Sequence, residues 1–451
     1  MLKRISVVMA GVLILAVSAQ AGAGGLGRGV GAVSETPLGS FTAVYLFGMA
    51  SGPDGDVWFT DLACMSLGRC SIDRVDPQGR ITTFTRGLHR GAIPVAIATG
   101  ADGNLWFTEE GPRPAIGRIT PAGRITEFTR GLRQGGLPFE ITLGPDGNLW
   151  FTDQAKRRPA IGRITPAGRI TEFTTGLRRG SRPFGIAEST AGRMWFTDQA
   201  CGGTGGGACA IGAVTPAGQI TERTAGLRAG ASPLGISAGT GGEMWFADGS
   251  RAIGRISPRG AISEHTAGLR PGSAPAALAA GADGGMWFSD EAAPGAIGHI
   301  SASGGVSESS AGLPPGSVPA FLLAAPNGRV WFSDEGSTAG IGQVDVGAAP
   351  AVRTRPRTTG TPAVGSPLTC RAGRWSRWDG RAPSPRLLPF DGYQWLRGGR
   401  PIAAQRGRVL VLSAADRKGA ISCRVTVTYP APLLVTAPAT SPAVRIGPRR
   451  A

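Results

Sequence analysis

A Trp-Phe pair followed by a small residue and then an acid occurs seven times in this chain, with tryptophan at 58, 106, 150, 195, 245, 287 and 331. The steps between these tryptophans run from 42 to 50 residues. A period in the forties means one supersecondary unit, unable to bury its apolar face alone, stacked many times. Any fold proposed for the first 347 residues has to be a repeat architecture.

Residues 138–175 show what the unit is. Pro138 to Leu143 reads as a first strand, with proline at the opening position that strands tolerate. Asp146-Gly147 marks a tight turn, since glycine accepts positive φ. Asn148 to Asp153 reads as a second strand, apolar on consecutive residues and so buried on both faces. Ala160 to Thr165 is a third strand, and Pro166-Ala167-Gly168 turns the chain again. Arg169 to Thr174 alternates apolar and polar as a half-exposed fourth strand does. Four antiparallel strands per repeat of this length make a propeller blade. The seventh copy leaves at Gly347 without a fourth strand, while residues 31–37 match an orphan one. The expected fold is all-β: a seven-bladed β-propeller over 31–347, with 31–37 closing the last blade.

The ends carry other signals. Met1 to Arg4 is basic, Ile5 to Val17 is apolar, and Ala19-Gln20-Ala21 is a small-residue site, so residues 1–21 read as a secretory signal peptide. The apolar run is too short for a membrane span. An extracellular or cell-envelope location follows. Six cysteines in an exported chain point to disulfides, and Cys64–Cys70, Cys201–Cys209 and Cys370–Cys423 are the local pairs. Their spacing does not fit a zinc knuckle, so no metal is expected. After a linker at 348–361, residues 362–446 carry a Cys, a strand with central Trp395, and a second Cys. That is the pattern of an Ig-like β-sandwich, followed by a tail at 447–451.

Charge separates these regions. Of the net +17, residues 351–451 contribute 18 basic against 3 acidic side chains, whereas residues 22–350 balance 27 against 27. A neutral propeller argues against nucleic acid as its partner. The basic appendage reads as a solvated basic surface or as a site for a polyanion, an anionic cell-wall polymer or an acidic membrane surface. The propeller face is expected to take a small ligand, peptide or glycan, and the chain to be a monomer.

The motifs Asp-Gly-x-Leu-Trp-Phe-Thr, Ile-Gly-Arg-Ile-Thr and Ile-Thr-Glu-Phe resemble those of the virginiamycin B lyase family, over residues 31–346. The resemblance implies a propeller that opens a cyclic depsipeptide ester by elimination, assisted by a divalent metal, usually magnesium. It places histidine after the inner-strand proline of the last two blades, glutamate ahead of the final proline, and tyrosine in the first blade. Here those positions hold Ala276, Ala320, Val318 and Phe47. None can transfer a proton or hold a metal. The three histidines, His89, His265 and His299, lie elsewhere and read as substitutions at the surface; Glu140 reads as structural. A binding protein is therefore expected first, with no cofactor and no catalytic residue. An active lyase, with magnesium, is the alternative.

One constellation remains. The residue closing each Trp-Phe strand is acidic: Asp61, Glu109, Asp153, Asp198, Asp248, Asp290 and Asp334. Pairing with the third-strand arginine (Arg118, Arg163, Arg255) would occupy most of them. Blades four, six and seven carry Ala213, His299 and Gln343 instead, which would leave Asp198, Asp290 and Asp334 for a ligand. Phe139 and Phe184, behind the inner-strand prolines of blades three and four, join them as candidate ligand contacts.

Overall fold

A computed structural model of the chain describes residues 33–37, 46–345 and 352–447, with interruptions of which 63–69, 203–207, 376–391 and 429–435 are the longest. The expected signal peptide at 1–21 lies outside the described residues. Seven four-stranded antiparallel sheets follow one another along the chain. Blade three runs Pro138–Leu143, Leu149–Asp153, Ala160–Ile164 and Ile170–Phe173, in simple sequential order. Blade seven takes its outer strand from the other end of the domain: Val33–Pro37 lies antiparallel to Gly340–Asp345, with Val33 opposite Val344 and Pro37 opposite Gly340. The ring is thereby shut by hydrogen bonds between residues at its two termini.

Consecutive apolar residues in the second strand have separate jobs. Trp150 packs forward with Ile186 and Phe196 of blade four. Phe151 packs backward with Trp106 of blade two. A strand's neighbouring side chains point to opposite faces, so a Trp-Phe pair fills both interfaces of one blade. The glycine of Ile-Gly-Arg follows from the same packing. A Cβ on Gly162 would lie 2.0 Å from Phe151 Cζ, inside the ring's own volume. The next residue, Arg163, stands opposite Trp150 and lays its guanidinium 5.3 Å from the indole centre. Phe173 of the outer strand stacks on the same indole at 5.6 Å.

Hydroxyls tie adjacent blades. Thr152 Oγ1 accepts from Glu140 N–H and donates to the Phe184 carbonyl of blade four. Thr60, Thr108, Thr197 and Ser289 make the same bridge to the next inner strand. Ala247 of blade five has no hydroxyl with which to make it.

Beyond the propeller, Val352–Thr354 pairs with Arg374–Trp375, and two larger sheets follow. One contains Arg357–Thr359, Pro367–Arg371 and Val409–Val411; the other contains Gly392–Arg397, Arg400–Pro401, Ile421–Thr428 and Thr436–Thr440. Cys370 on the first is bonded to Cys423 on the second, and Trp395 is fully buried in the same core. Cys201 is bonded to Cys209. Cys70 is also disulfide-bonded; its expected partner, Cys64, lies outside the described residues. Among the described residues no helix is long and apolar enough to cross a membrane.

Candidate functional site at the mouth of the propeller

In every blade the register slips between the inner-strand opening residue and the residue three later, for instance between Pro138 and Ile141. Such bulges bend a strand and re-aim the side chains inside them. The re-aimed residues are those that fill the axis. Phe47 touches Phe139 at 5.4 Å and Phe321 at 4.3 Å between ring centres, and Phe139 touches Phe184 at 4.7 Å. Blades one, three, four and seven thus meet across the centre, with Val95 and Leu234 packed alongside. Phe139 and Phe184 belong to this apolar floor. Ala276 and Ala320 occupy the equivalent position, after the inner-strand proline, in blades six and seven.

Charged and amide groups rim the floor. The residue after the strand-closing acid sits beside the opening of the inner strands, where its N–H donates to the carbonyl ahead of the proline: Glu291 to Ala274, Glu335 to Val318. Gln154 Oε1 accepts from Arg182 Nε at 3.3 Å, joining blades three and four. Glu110 acts electrostatically on Arg182. The carboxyls here hold protons to unusually high pH. Burial, then the charge of Glu291, pushes Glu335 up to about 8. Burial, then Asp290, pushes Glu291 to about 7. Burial raises Glu140 to about 7, and burial with Asp153 raises Glu110 to about 7. The site offers an apolar floor, a guanidinium, and carboxyls that change charge near neutral pH.

A second recess, of about 740 Å³, opens between blades three and four and is lined by Arg133, Arg157, Arg158, Arg178 and Arg179. Arg178 Nη1 is buried there without a hydrogen bond.

The strand-closing acids are elsewhere, and here the expectation drawn from sequence is corrected. Asp198, Asp290 and Asp334 are fully buried. Asp290 Oδ1 accepts from the N–H groups of Ala274 and Ala292, at 2.7 and 3.0 Å. Asp198 bonds Arg182 N and Ala200 N, and Asp334 bonds Val318 N and Gly336 N, in the same way. Asp290 Oδ2 accepts from Arg270 Nε and Asp334 Oδ2 from Ser317 Oγ, whereas Asp198 Oδ2 is buried with no hydrogen-bond partner. Asp153, whose pairing with Arg163 was expected, bonds Leu137 N and Ala155 N instead. The cation that does approach these acids comes from the preceding connector. Arg270 Nε lies 2.8 Å from Asp290 and 3.0 Å from Glu308 of the outer strand. Arg228 with Asp248 and Glu264 repeats the arrangement. The histidines also have interior contacts: His265 and His299 lie against Trp245 and Trp287.

Burial, then the adjacent aspartate, pushes Glu172, Glu222 and Glu308 from an ordinary 4.5 up to about 7. A carboxyl whose folded pKa exceeds its unfolded one adds stability that is complete below the unfolded value and lost as pH climbs through the folded value. Thermal melting of the full chain is therefore expected to be highest near pH 5 and to fall between pH 5 and 8. A curve that is flat or rises over that window would refute the assignment.

The sequence profile of the virginiamycin B lyase family matches residues 25–222, 115–270 and 208–367. Among solved structures, a catalytically inactive histidine-to-alanine variant of virginiamycin B lyase from Staphylococcus aureus with quinupristin is 29% identical, at TM-score 0.59 over 69% of this chain and 98% of that one. A streptogramin B lyase is also 29% identical, at 0.60 over 70% and 97%. A YCF48 protein bound to D1 peptide shares the fold at 0.52 with 14% identity, over 71% of this chain and 96% of that one. No curated protein sequence matches the chain.

Proposed function

We propose that this chain, which belongs to the virginiamycin B lyase family, is an exported binding protein that holds an amphipathic ligand at the propeller mouth. The observation that carries this reading is the floor of Phe47, Phe139, Phe184 and Phe321. An aromatic floor with few polar groups at its rim suits an apolar ligand fixed in orientation by one or two hydrogen bonds. The positions that family resemblance assigns to histidine and glutamate carry methyl and isopropyl groups, which do not fit a metal ion. A histidine-to-alanine change accompanies loss of catalysis in the relative from Staphylococcus aureus. The basic, Ig-like module at 362–446 serves this function by holding the protein to an anionic polymer of the envelope.

Quinupristin is a suitable probe, because it is the compound present with that relative. Calorimetry of the purified full chain is expected to register binding, with the compound recovered intact by mass spectrometry. Phe139→Ala and Phe184→Ala should each weaken binding about tenfold, the loss expected when one aromatic contact is truncated. Intact affinity in both variants would remove the floor from the account.

The Glu291–Glu335 pair favours a second reading, residual elimination chemistry. One carboxylate of such a pair can accept the proton beside an ester carbonyl while its protonated neighbour donates to the departing oxygen. Ring-opened product formed at an enzyme-like rate, and lost in both Glu291→Gln and Glu335→Gln, would replace the binding reading with this one.

A further inference from the structure

We propose that His89, Glu109 and Glu127 form a binding site for one first-row divalent cation at the junction of blades one and two. His89 Nδ1 lies 2.7 Å from Glu109 Oε1 and 3.3 Å from Glu127 Oε2. The three donor atoms fall within 4.8 Å of one another. Zinc held by nitrogen and carboxylate oxygen at about 2.1 Å needs donors roughly 3.4 Å apart, so small side-chain shifts suffice.

The other blades provide an internal comparison. At this position of the connector, blades three to six have Arg133, Arg178, Arg228 and Arg270, each facing an outer-strand glutamate. The second-strand acid beside each is an aspartate whose Oδ1 takes two backbone N–H groups. Blade two changes both partners. Arginine becomes His89, and aspartate becomes Glu109, one methylene longer. Glu109 is fully buried, and neither of its oxygens accepts a hydrogen bond. Its head has moved off the backbone amides and onto the imidazole. Glu127 Oε1 accepts from His89 N–H at 2.9 Å, which fixes Glu127 with Oε2 facing His89 Nδ1 at 3.3 Å.

Charge points the same way. In blades three to six a permanent guanidinium offsets part of the charge of two carboxylates. An imidazole carries no permanent charge, so blade two lacks that fixed cation beside its two carboxylates. A dication bound to one neutral nitrogen and two carboxylates is balanced. Entry is open, since the side chains of His89 and Glu127 keep 17% and 18% of their exposure.

The test uses the purified full chain, stripped with a chelator and titrated with zinc against a chromophoric chelator. The expected result is one zinc per chain and a raised melting temperature. The double variant His89→Arg/Glu109→Asp rebuilds the arrangement of blades three to six, so it should fold and melt like the parent while taking up no zinc. His89→Ala gives an independent readout should the double variant fail to fold. Glu291→Gln/Glu335→Gln should bind zinc as the parent does, which separates this site from the mouth. Equal uptake by parent and His89 variants, loss of uptake in the mouth variant alone, or no uptake by the parent would overturn the proposal.

Discussion

Gly162→Ala is expected to cost the propeller roughly 3 kcal/mol, the upper part of the usual range for overpacking a filled core. The added methyl would sit 2.0 Å from Phe151 Cζ, and that ring has no exposed surface toward which to retreat. The same collision recurs at Gly117, Gly212, Gly254, Gly298 and Gly342, with phenyl carbons 1.8 to 2.0 Å away. The requirement is for space rather than backbone freedom. Gly147 supplies the contrast: its φ is +75°, and a Cβ there meets nothing within 4 Å. Gly147→Ala should cost only about 1 kcal/mol, the strain of a left-handed alanine. Chemical unfolding of both variants checks the pair. Phe151→Leu in the Gly162→Ala background should recover part of the loss. Equal stability of Gly162→Ala and wild type would mean that blades slide apart more easily than this packing implies.

Removing residues 22–37 is expected to destabilise all seven blades together. The deletion takes away the ladder from Val33↔Val344 to Pro37↔Gly340 and bares the edge of Gly340–Asp345. An unpaired edge invites another chain to pair with it. The truncated protein should melt at a lower temperature than the parent and show self-association by light scattering. A peptide of residues 31–37 added in excess should reverse both effects. Unchanged melting and a monomeric truncation product would show that blade seven does not depend on its borrowed strand.

Much of this architecture is legible in the sequence. The Trp-Phe period gave the number and kind of blades because each copy needs the same two interfaces filled. The partners of the strand-closing acids were misread for a geometric reason. Asp153 stands opposite Ala160, whereas Arg163 stands three residues away, opposite Trp150. The arginine therefore belongs with the indole, and sequence proximity of strands two and three obscured that. The recurring Gly-Leu-Arg and Ile-Thr-Glu elements hold the true pairing, but 36 to 44 residues separate the two partners along the chain. The rim of the mouth was missed because Glu110, Glu291 and Glu335 follow the repeated acid in only three of seven copies. Attention to what repeats passes over what does not. The bulge that turns Phe139 and Glu140 leaves no mark on hydrophobic alternation at all.

The borrowed strand also sets an order of assembly. Residues 33–37 emerge first from the ribosome, yet their hydrogen-bonding partners at 340–345 emerge only after six complete blades. Bringing such distant segments together costs loop entropy before any contact rewards it, and topologies of this kind fold slowly. Blades made early can form their own hairpins, but the circle is finished last, by the oldest and youngest parts of the propeller meeting. The arrangement thus postpones completion of the disc until nearly all of the propeller has been made, so its earlier blades must wait with one edge of the circle open.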